Sequence, residues 1–147
     1  GKQDIAPGEI VASISVPLNA HTDFHCWKIS KRFDQDISAV CGAFGLTIEK
    51  NTITSARIAF GGMAATPRRA TLCEQALIGQ SVHRDLLSSA SEALSKDFAP
   101  ISDMRASASY RIRAAQGLLE RCLRSINGET TPQLFSDVEA LEVPARG

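Results

Sequence analysis

The densest cluster of polar side chains in the chain is the run KISKRFDQDI, from Lys28 to Ile37. It follows a short apolar stretch, so we expect it where a strand gives way to a loop, a place where rigid scaffolds often present functional groups. If side chains alternate, Lys28 shares one side of the strand with Phe24, Cys26 and Ser30. An isolated lysine more often extends along apolar surface with its ammonium in water. These residues therefore leave two interpretations open, a cationic site or a solvated corner.

A second candidate is the run AFGGMAATP, from Ala59 to Pro67. Its two adjacent glycines would let the backbone approach a cofactor closely. The run has neither the GxGxxG spacing nor the lysine of a P-loop. A tight turn between a strand and a capped helix is therefore the simpler interpretation.

The three histidines and four cysteines show no spacing typical of a metal site, a nucleophilic triad or an iron–sulfur cluster. We therefore predict no catalytic residue and no metal ligand in this chain. The cysteines are interpreted as small buried thiols of a reducing cytosol. They are Cys26, Cys41, Cys73 and Cys122.

Apolar residues that alternate with polar ones predict strands in the first half of the chain. Pro17 closes the first of these runs, and Glu49-Lys50-Asn51 predicts a hairpin turn between the last two. A meander of neighbouring antiparallel strands is the simplest arrangement. The four predicted strands are Ile10–Val16, Phe24–Ser30, Val40–Ile48 and Thr54–Phe60.

A helical period replaces the alternation after Gly62. The predicted helices run from Thr66, as the cap before Pro67, to Gly79, then through Val82–Leu94, then from about Ser107 to Ile126 before Asn127-Gly128. Strands followed by helices predict the α+β class, with an antiparallel sheet covered on one face by helices in a two-layer sandwich. We place one domain at 1–128 and a C-terminal tail at 129–147, where periodicity fails.

Composition is that of one ordinary globular domain. The 147 residues are 44% apolar and 22% charged, and 16 basic residues balance 16 acidic ones. This balance removes the positive field that nonspecific binding to nucleic acid or to an anionic membrane requires. With no signal peptide and no apolar run long enough to cross a bilayer, the chain is expected to be soluble and cytoplasmic, with no nucleic-acid or membrane partner.

Three ordered blocks carry a family resemblance. They read WKISKRFDQDISAVCGAF, ARIAFGGMAATPRRA and SDMRASASYRIRAAQGLLERCL, and the preceding PGEIVASISVP resembles the family's opening strand. Together they cover most of residues 8 to 126 and resemble the C-terminal domain of the FAD-binding (small) subunit of bacterial xanthine dehydrogenases, in the molybdenum hydroxylase family. The resemblance implies a sheet of three or four strands packed on three helices beside a separate FAD-binding lobe.

The resemblance also implies an oxidoreductase function. In this family, electrons from purine hydroxylation, xanthine to urate, pass from a molybdopterin cofactor through two 2Fe-2S clusters to FAD, which reduces NAD. The implied partners are the FAD-binding lobe and iron-sulfur domains of the same subunit and a molybdopterin-binding subunit. Because this sequence has neither the glycine-rich FAD motif nor the cluster cysteines, the chain alone is expected to be inactive.

By position, Lys28 matches a lysine that contacts FAD in the family, and the loop from Ser30 to Asp36 matches a segment near the flavin and the approach of NAD. Arg32 and Asp36 match charged positions of that loop, whereas Phe33 and Gln35 stand where animal relatives have charges. Val11 matches a contact to the cofactor on the opening strand.

The alternative function is a non-catalytic α+β docking or dimerisation module of the same superfamily. The two functions make different predictions for the corner after Lys28. An open surface beside this corner favours the cofactor role, and a corner covered by helices of the same chain favours docking.

Overall fold

A computed structural model gives the fold of the chain and describes residues 5–15, 23–32, 35–83 and 86–129. Four strands form one antiparallel sheet in which neighbours in sequence are neighbours in space. Three helices follow the strands, as the α+β prediction requires. The elements are β1 (Asp23–Ile29), β2 (Val40–Glu49), β3 (Thr52–Gly61), β4 (Arg68–Arg69), α1 (Thr71–Leu77), α2 (Leu86–Asp97) and α3 (Ala108–Ile126).

The hairpin between β2 and β3 has a two-residue loop at the predicted place. Lys50 and Asn51 have φ angles of 49° and 65°. Two consecutive left-handed residues give a turn whose twist matches that of the flanking strands, and asparagine tolerates this conformation well. The turn therefore fixes which residues of β2 and β3 face each other.

The core lies between the sheet and the helices. One face of β2 and β3 supplies the buried side chains of Phe44, Leu46, Ile58 and Phe60. The rings of Phe44 and Phe60 meet edge to face, with centroids 5.6 Å apart, a favourable geometry for aromatic pairs. α3 packs on β1 and β2, and α1 packs on β3, so the helices contribute the opposite side of this core.

The longest helix, α3, is confirmed to within a residue of its predicted start. The Ser107 side chain caps it by accepting a hydrogen bond from the Tyr110 backbone N–H at 3.2 Å. Gly128, with a φ of +73°, follows its end in the left-handed conformation typical of helix C-termini. Ala115, Leu119 and Cys122 form its fully buried stripe.

The predicted strand Ile10–Val16 is wrong over its described part. Residues 5–15 form no strand and no ladder with the sheet strands, and Val16 lies outside the described residues. Ile10 and Ile14 are 84% and 82% exposed. Alternation only shows that a segment suits a pleated surface, and a strand also needs a neighbouring strand with free backbone groups.

The predicted start of the first helix at Thr66 is also wrong. Residues 68–69 pair with β3 as a short strand, and α1 begins only at Thr71. Its N-terminus is capped from α2, because the Asp97 carboxylate accepts hydrogen bonds from Leu72 N and Cys73 N, both at 2.9 Å. This distant cap replaces the local cap that Thr66 and Pro67 predicted. The stop at Gly79 is confirmed by its φ of +82°.

The predicted tail from residue 129 stays a prediction. Glu129 is the last described residue, and residues 130–147 lie outside the described part of the chain.

Candidate functional site

The sheet has one face without a helical layer among the described residues. Along β1, Phe24, Cys26 and Lys28 are exposed, whereas the residues between them are partly buried against the helices. This face is referred to below as the outer face. Its residues are Phe24, Cys26 and Lys28 of β1, Cys41, Ala43 and Gly45 of β2, and Arg57, Ala59 and Gly61 of β3.

Lys28 lies near the end of β1 on the outer face, on the side that alternation predicts. It stands directly opposite Cys41, which in turn stands opposite Gly61. These neighbours are small, so no large side chain across the ladder blocks access to the lysine. In the described ranges no carboxylate lies within ion-pair distance of Lys28. Its ammonium is therefore available to a ligand.

The corner after β1 is organised by the Asp36 carboxylate. Asp36 Oδ2 accepts a hydrogen bond from Arg32 N at 2.9 Å, and Oδ1 accepts one from Ile37 N at 2.9 Å. Ser30 Oγ donates to the Arg32 carbonyl at 2.9 Å. The Arg32 backbone N–H, aided by the Arg32 guanidinium 3.6 Å away and the Ile37 N–H, holds the pKa of Asp36 below its usual value. Three of the predicted site residues, Ser30, Arg32 and Asp36, are thus brought together in one turn.

A hollow of about 490 Å³ lies beside this corner. Its walls include Ser30 and Lys31 on one side and Asp103 and Tyr110 on the other. Lys31 Nζ donates a hydrogen bond of 2.7 Å to the Met104 carbonyl, which ties the corner to the loop before α3. The corner is therefore anchored at its base without being covered.

Among the described residues, no strand pairing joins Val11 to the sheet that carries Lys28. Val11 is 65% exposed and lies in the unpaired segment 5–15. Its predicted contact to a cofactor stays a prediction.

Arg111 holds the glycine run against the start of β2. Only 3% of this residue is exposed, and Nη1 donates to the carbonyls of Ala39 and of Gly62, the latter at 2.8 Å. Nη2 donates to Asp103 Oδ1 at 2.7 Å. The Ala106 N–H first, and then Arg111, lower the pKa of Asp103 to about 2. Ala39 N donates to Ile29 O at 2.7 Å, so this cluster also fixes the end of β1 next to Lys28.

The structure separates the four cysteines into two classes. Cys73 and Cys122 are buried as predicted, and burial raises the pKa of each thiol to about 12. For Cys26 and Cys41 the prediction of buried thiols is wrong, because Cys26 is exposed and Cys41 is partly exposed. Both lie on the outer face. Strand register brings them together, and alternation along one strand does not reveal register, so this pair could not be predicted from the sequence.

The described residues, 5–15, 23–32, 35–83 and 86–129, contain neither a candidate membrane-spanning helix nor a candidate metal site. No helix there is long and apolar enough to cross a bilayer. No group of three or more His, Cys, Asp or Glu side chains in this part of the chain is arranged to hold a metal ion.

Curated relatives of the chain are redox-enzyme subunits by name. The glyceraldehyde dehydrogenase medium chain of Sulfolobus acidocaldarius is 27% identical over 124 residues, covering 84% of this chain and 43% of the relative. The putative xanthine dehydrogenase FAD-binding subunit XdhB of Escherichia coli K12 is 27% identical over 125 residues, with the same coverage. The carbon monoxide dehydrogenase medium chain of Afipia carboxidovorans is 28% identical over 119 residues, covering 81% and 41%. The chain thus spans about two-fifths of the length of these relatives.

Solved structures share the fold. Reconstituted CO dehydrogenase from Oligotropha carboxidovorans aligns with a TM-score of 0.65 and 25% identity, covering 73% of this chain and 37% of that one. Quinoline 2-oxidoreductase from Pseudomonas putida 86 aligns with a TM-score of 0.62 at 22% identity, covering 69% and 35%, which supports the fold alone. Residues 25–126 match a family defined by the C-terminal domain of the CO dehydrogenase flavoprotein. This match confirms the resemblance carried by the three sequence blocks: the chain belongs to the CO dehydrogenase flavoprotein C-terminal domain family.

Proposed function

We propose that the chain is the C-terminal domain of the flavoprotein subunit of a xanthine dehydrogenase and that it forms one wall of the FAD site. In the assembled enzyme, electrons from purine hydroxylation would pass through this site to NAD. The xanthine assignment is supported by the resemblance of the sequence blocks and by the similarity to the Escherichia coli subunit named for that activity. The proposed partners are the FAD-binding lobe and iron-sulfur domains of the same subunit and a molybdopterin-binding subunit.

One observation carries the proposal. Lys28 presents an exposed ammonium on the outer face, where the described helices do not cover it and no described carboxylate neutralises it. A lysine packed under helices of its own chain would have favoured the docking function. An exposed cation on a sheet face that the described helices leave open favours a role in holding a ligand.

The residues of the outer face are compatible with a flavin. FAD, when bound, supplies the two-electron redox chemistry, and its reduced ring and its diphosphate carry negative charge that a cation stabilises. The ammonium of Lys28 can donate a charge-assisted hydrogen bond, the stronger kind of hydrogen bond. The small side chains across the ladder, Cys41 and Ala43, leave room for the approach.

The rigid surroundings of Lys28 support the same role. Asp36 fixes the corner that follows β1, and the Arg111 cluster fixes the carbonyl of Ala39, which neighbours the end of β1. Binding a ligand through a cation that is already fixed in place costs less conformational entropy than binding it through a side chain on a mobile loop. The chain would therefore position charge beside the flavin.

The test replaces Lys28 in the full-length flavoprotein. Lys28→Ala should lower the FAD bound per protein or make the flavin midpoint potential more negative, because the reduced flavin loses a neighbouring cation. Lys50→Ala is the matched control, since Lys50 is also exposed but lies in the hairpin loop after β2. If Lys28→Ala and Lys50→Ala leave both flavin content and potential unchanged, Lys28 has no place in the site.

A further inference from the structure

Two thiols lie next to each other on the outer face. Cys26 stands opposite Ala43 and Cys41 stands opposite Lys28, so the two cysteines are diagonal neighbours on adjacent antiparallel strands. Diagonal neighbours on one face of a sheet have Cα atoms about 7–8 Å apart, and their Cβ atoms are somewhat closer. Cys26 is exposed and Cys41 is partly exposed, so both sulfurs can be reached from solvent.

The electrostatics of Cys41 are consistent with contact between the two thiols. Partial burial raises the pKa of Cys41, and the charge and hydrogen bond of the Cys26 thiol raise it further, against the opposing effect of Lys28. A hydrogen bond between thiols requires their sulfurs to be close. The two thiols therefore lie on the same part of the outer face, where a bond between their sulfurs can form.

β1 has the freedom that a bond between these thiols requires. Among the strands of the described residues it is an edge strand, hydrogen-bonded to β2 alone in the order β1-β2-β3-β4. A disulfide needs Cα atoms about 4.4–6.8 Å apart, so a diagonal pair closes with a small displacement of one strand. An edge strand with one neighbour makes that displacement more easily than a central strand.

We propose that Cys26 and Cys41 form a redox-active dithiol that a peroxide converts reversibly into an intramolecular disulfide. Ionised Cys26 attacks one oxygen of hydrogen peroxide, the O–O bond breaks, and the departing oxygen takes up a proton and leaves as water. Cys26 is then a sulfenic acid. The Cys41 sulfur attacks the Cys26 sulfur and gives up its proton, the S–S bond forms, and the S–O bond breaks to release a second water.

The two thiols together lose two electrons and two hydrogens, and one peroxide becomes two waters. The inference does not depend on the proposed flavin site, because it needs only the strand register and the exposure of the two sulfurs. Cys73 and Cys122 serve as internal controls, since both are buried with pKa values raised to about 12.

The test uses the 147-residue chain, reduced and then treated with hydrogen peroxide at equimolar to tenfold excess. Intact mass should fall by two hydrogens and return on addition of a thiol reductant, and peptide mapping should join the peptides of Cys26 and Cys41. Cys41→Ser should abolish the bond and yield a Cys26 sulfenic acid that dimedone captures. Cys26→Ser should abolish both the bond and the dimedone adduct at Cys41.

Three outcomes overturn the proposal. They are oxidation of Cys26 to sulfinic acid in the wild-type chain without loss of two hydrogens, a disulfide found only between chains, and a bond to Cys73 or Cys122. Circular dichroism checks that each variant is folded. Pulse alkylation of the folded wild-type chain before and after peroxide treatment tests the same disulfide without variants. If the bond forms, alkylation of Cys26 and of Cys41 should be lost together.

Discussion

Replacing the buried Arg111 should destabilise the domain strongly and displace the end of β1. Arg111→Met keeps the aliphatic stem and removes the guanidinium, which leaves the carbonyls of Ala39 and Gly62 without their donor. It also leaves the Asp103 carboxylate without its partner at 2.7 Å. Ala39 N also donates a hydrogen bond to Ile29 O at the end of β1. Removing the donor to the Ala39 carbonyl should therefore also weaken the end of β1, the strand that carries Lys28.

The expected loss in the free energy of unfolding is about 3 kcal/mol. Each hydrogen bond from a charged donor contributes a net ~1.5–3 kcal/mol, and two carbonyl acceptors are affected. Partial access of water to Gly62, which is exposed, keeps the estimate at the low end. For a domain of roughly 100 residues, a loss of about 3 kcal/mol lowers Tm by about 12 °C or more.

Equilibrium unfolding in urea at pH 7 measures this loss. Trp27, the only tryptophan, reports on the packing of β1, because its ring stacks on His25 and lies 5.0 Å beneath the Arg121 guanidinium. Arg113→Met is the matched control, since Arg113 is an exposed arginine on the same helix, and it should change stability by no more than about 0.5 kcal/mol. A loss below ~1 kcal/mol for Arg111→Met would refute the role given to this cluster.

Three further predictions follow from the same region and from the fold. Gly62→Ala should lower the free energy of unfolding in urea more than Gly128→Ala does. Both glycines have positive φ angles, of 80° and 73°, so the backbone strain is similar. At Gly62, however, an added Cβ would lie 2.4 Å from the carbonyl oxygen of Ala39, whereas at Gly128 it would meet nothing within 4 Å. Equal losses would contradict this account of the glycine run. The pKa of Asp103 is lowered to about 2 from 3.8, so its stabilisation is complete above pH 3.8 and is lost as pH falls towards 2. Asp103→Asn should therefore reduce the change in the free energy of unfolding between pH 3.8 and pH 2. If the variant and the wild-type chain show the same pH dependence, other carboxylates are responsible for it. Finally, equilibrium dialysis of the 147-residue chain with FAD should give weak or no binding, since the sequence has no glycine-rich phosphate cradle; tight stoichiometric binding would contradict the proposed division of the site.

The parts of the fold that could be predicted are those whose signals are local. Ser107, a helical period and Asn127-Gly128 lie within one segment, so the bounds of α3 follow from that segment alone. The turn at Lys50 and Asn51 is equally local. The start of α1 was mispredicted because its cap, Asp97, comes from the end of another helix.

The site could be predicted only in part, for the same reason. Alternation places Lys28 on the outer face, and the charged corner after it is visible in the sequence. The diagonal placement of Cys26 and Cys41 depends on the register of β1 against β2, which one sequence does not reveal. The failure at residues 10–15 has a related cause, since alternation shows that a segment suits a pleated surface but does not show which strand, if any, it pairs with.

A structure of the full-length flavoprotein with FAD bound is the measurement that tests the central claim most directly. The account predicts Lys28 Nζ at hydrogen-bonding distance, about 2.7–3.2 Å, from a polar atom of the flavin, with the outer face of the sheet lining the site. A flavin bound elsewhere, with Lys28 in solvent or covered by protein that does not touch the cofactor, would contradict it.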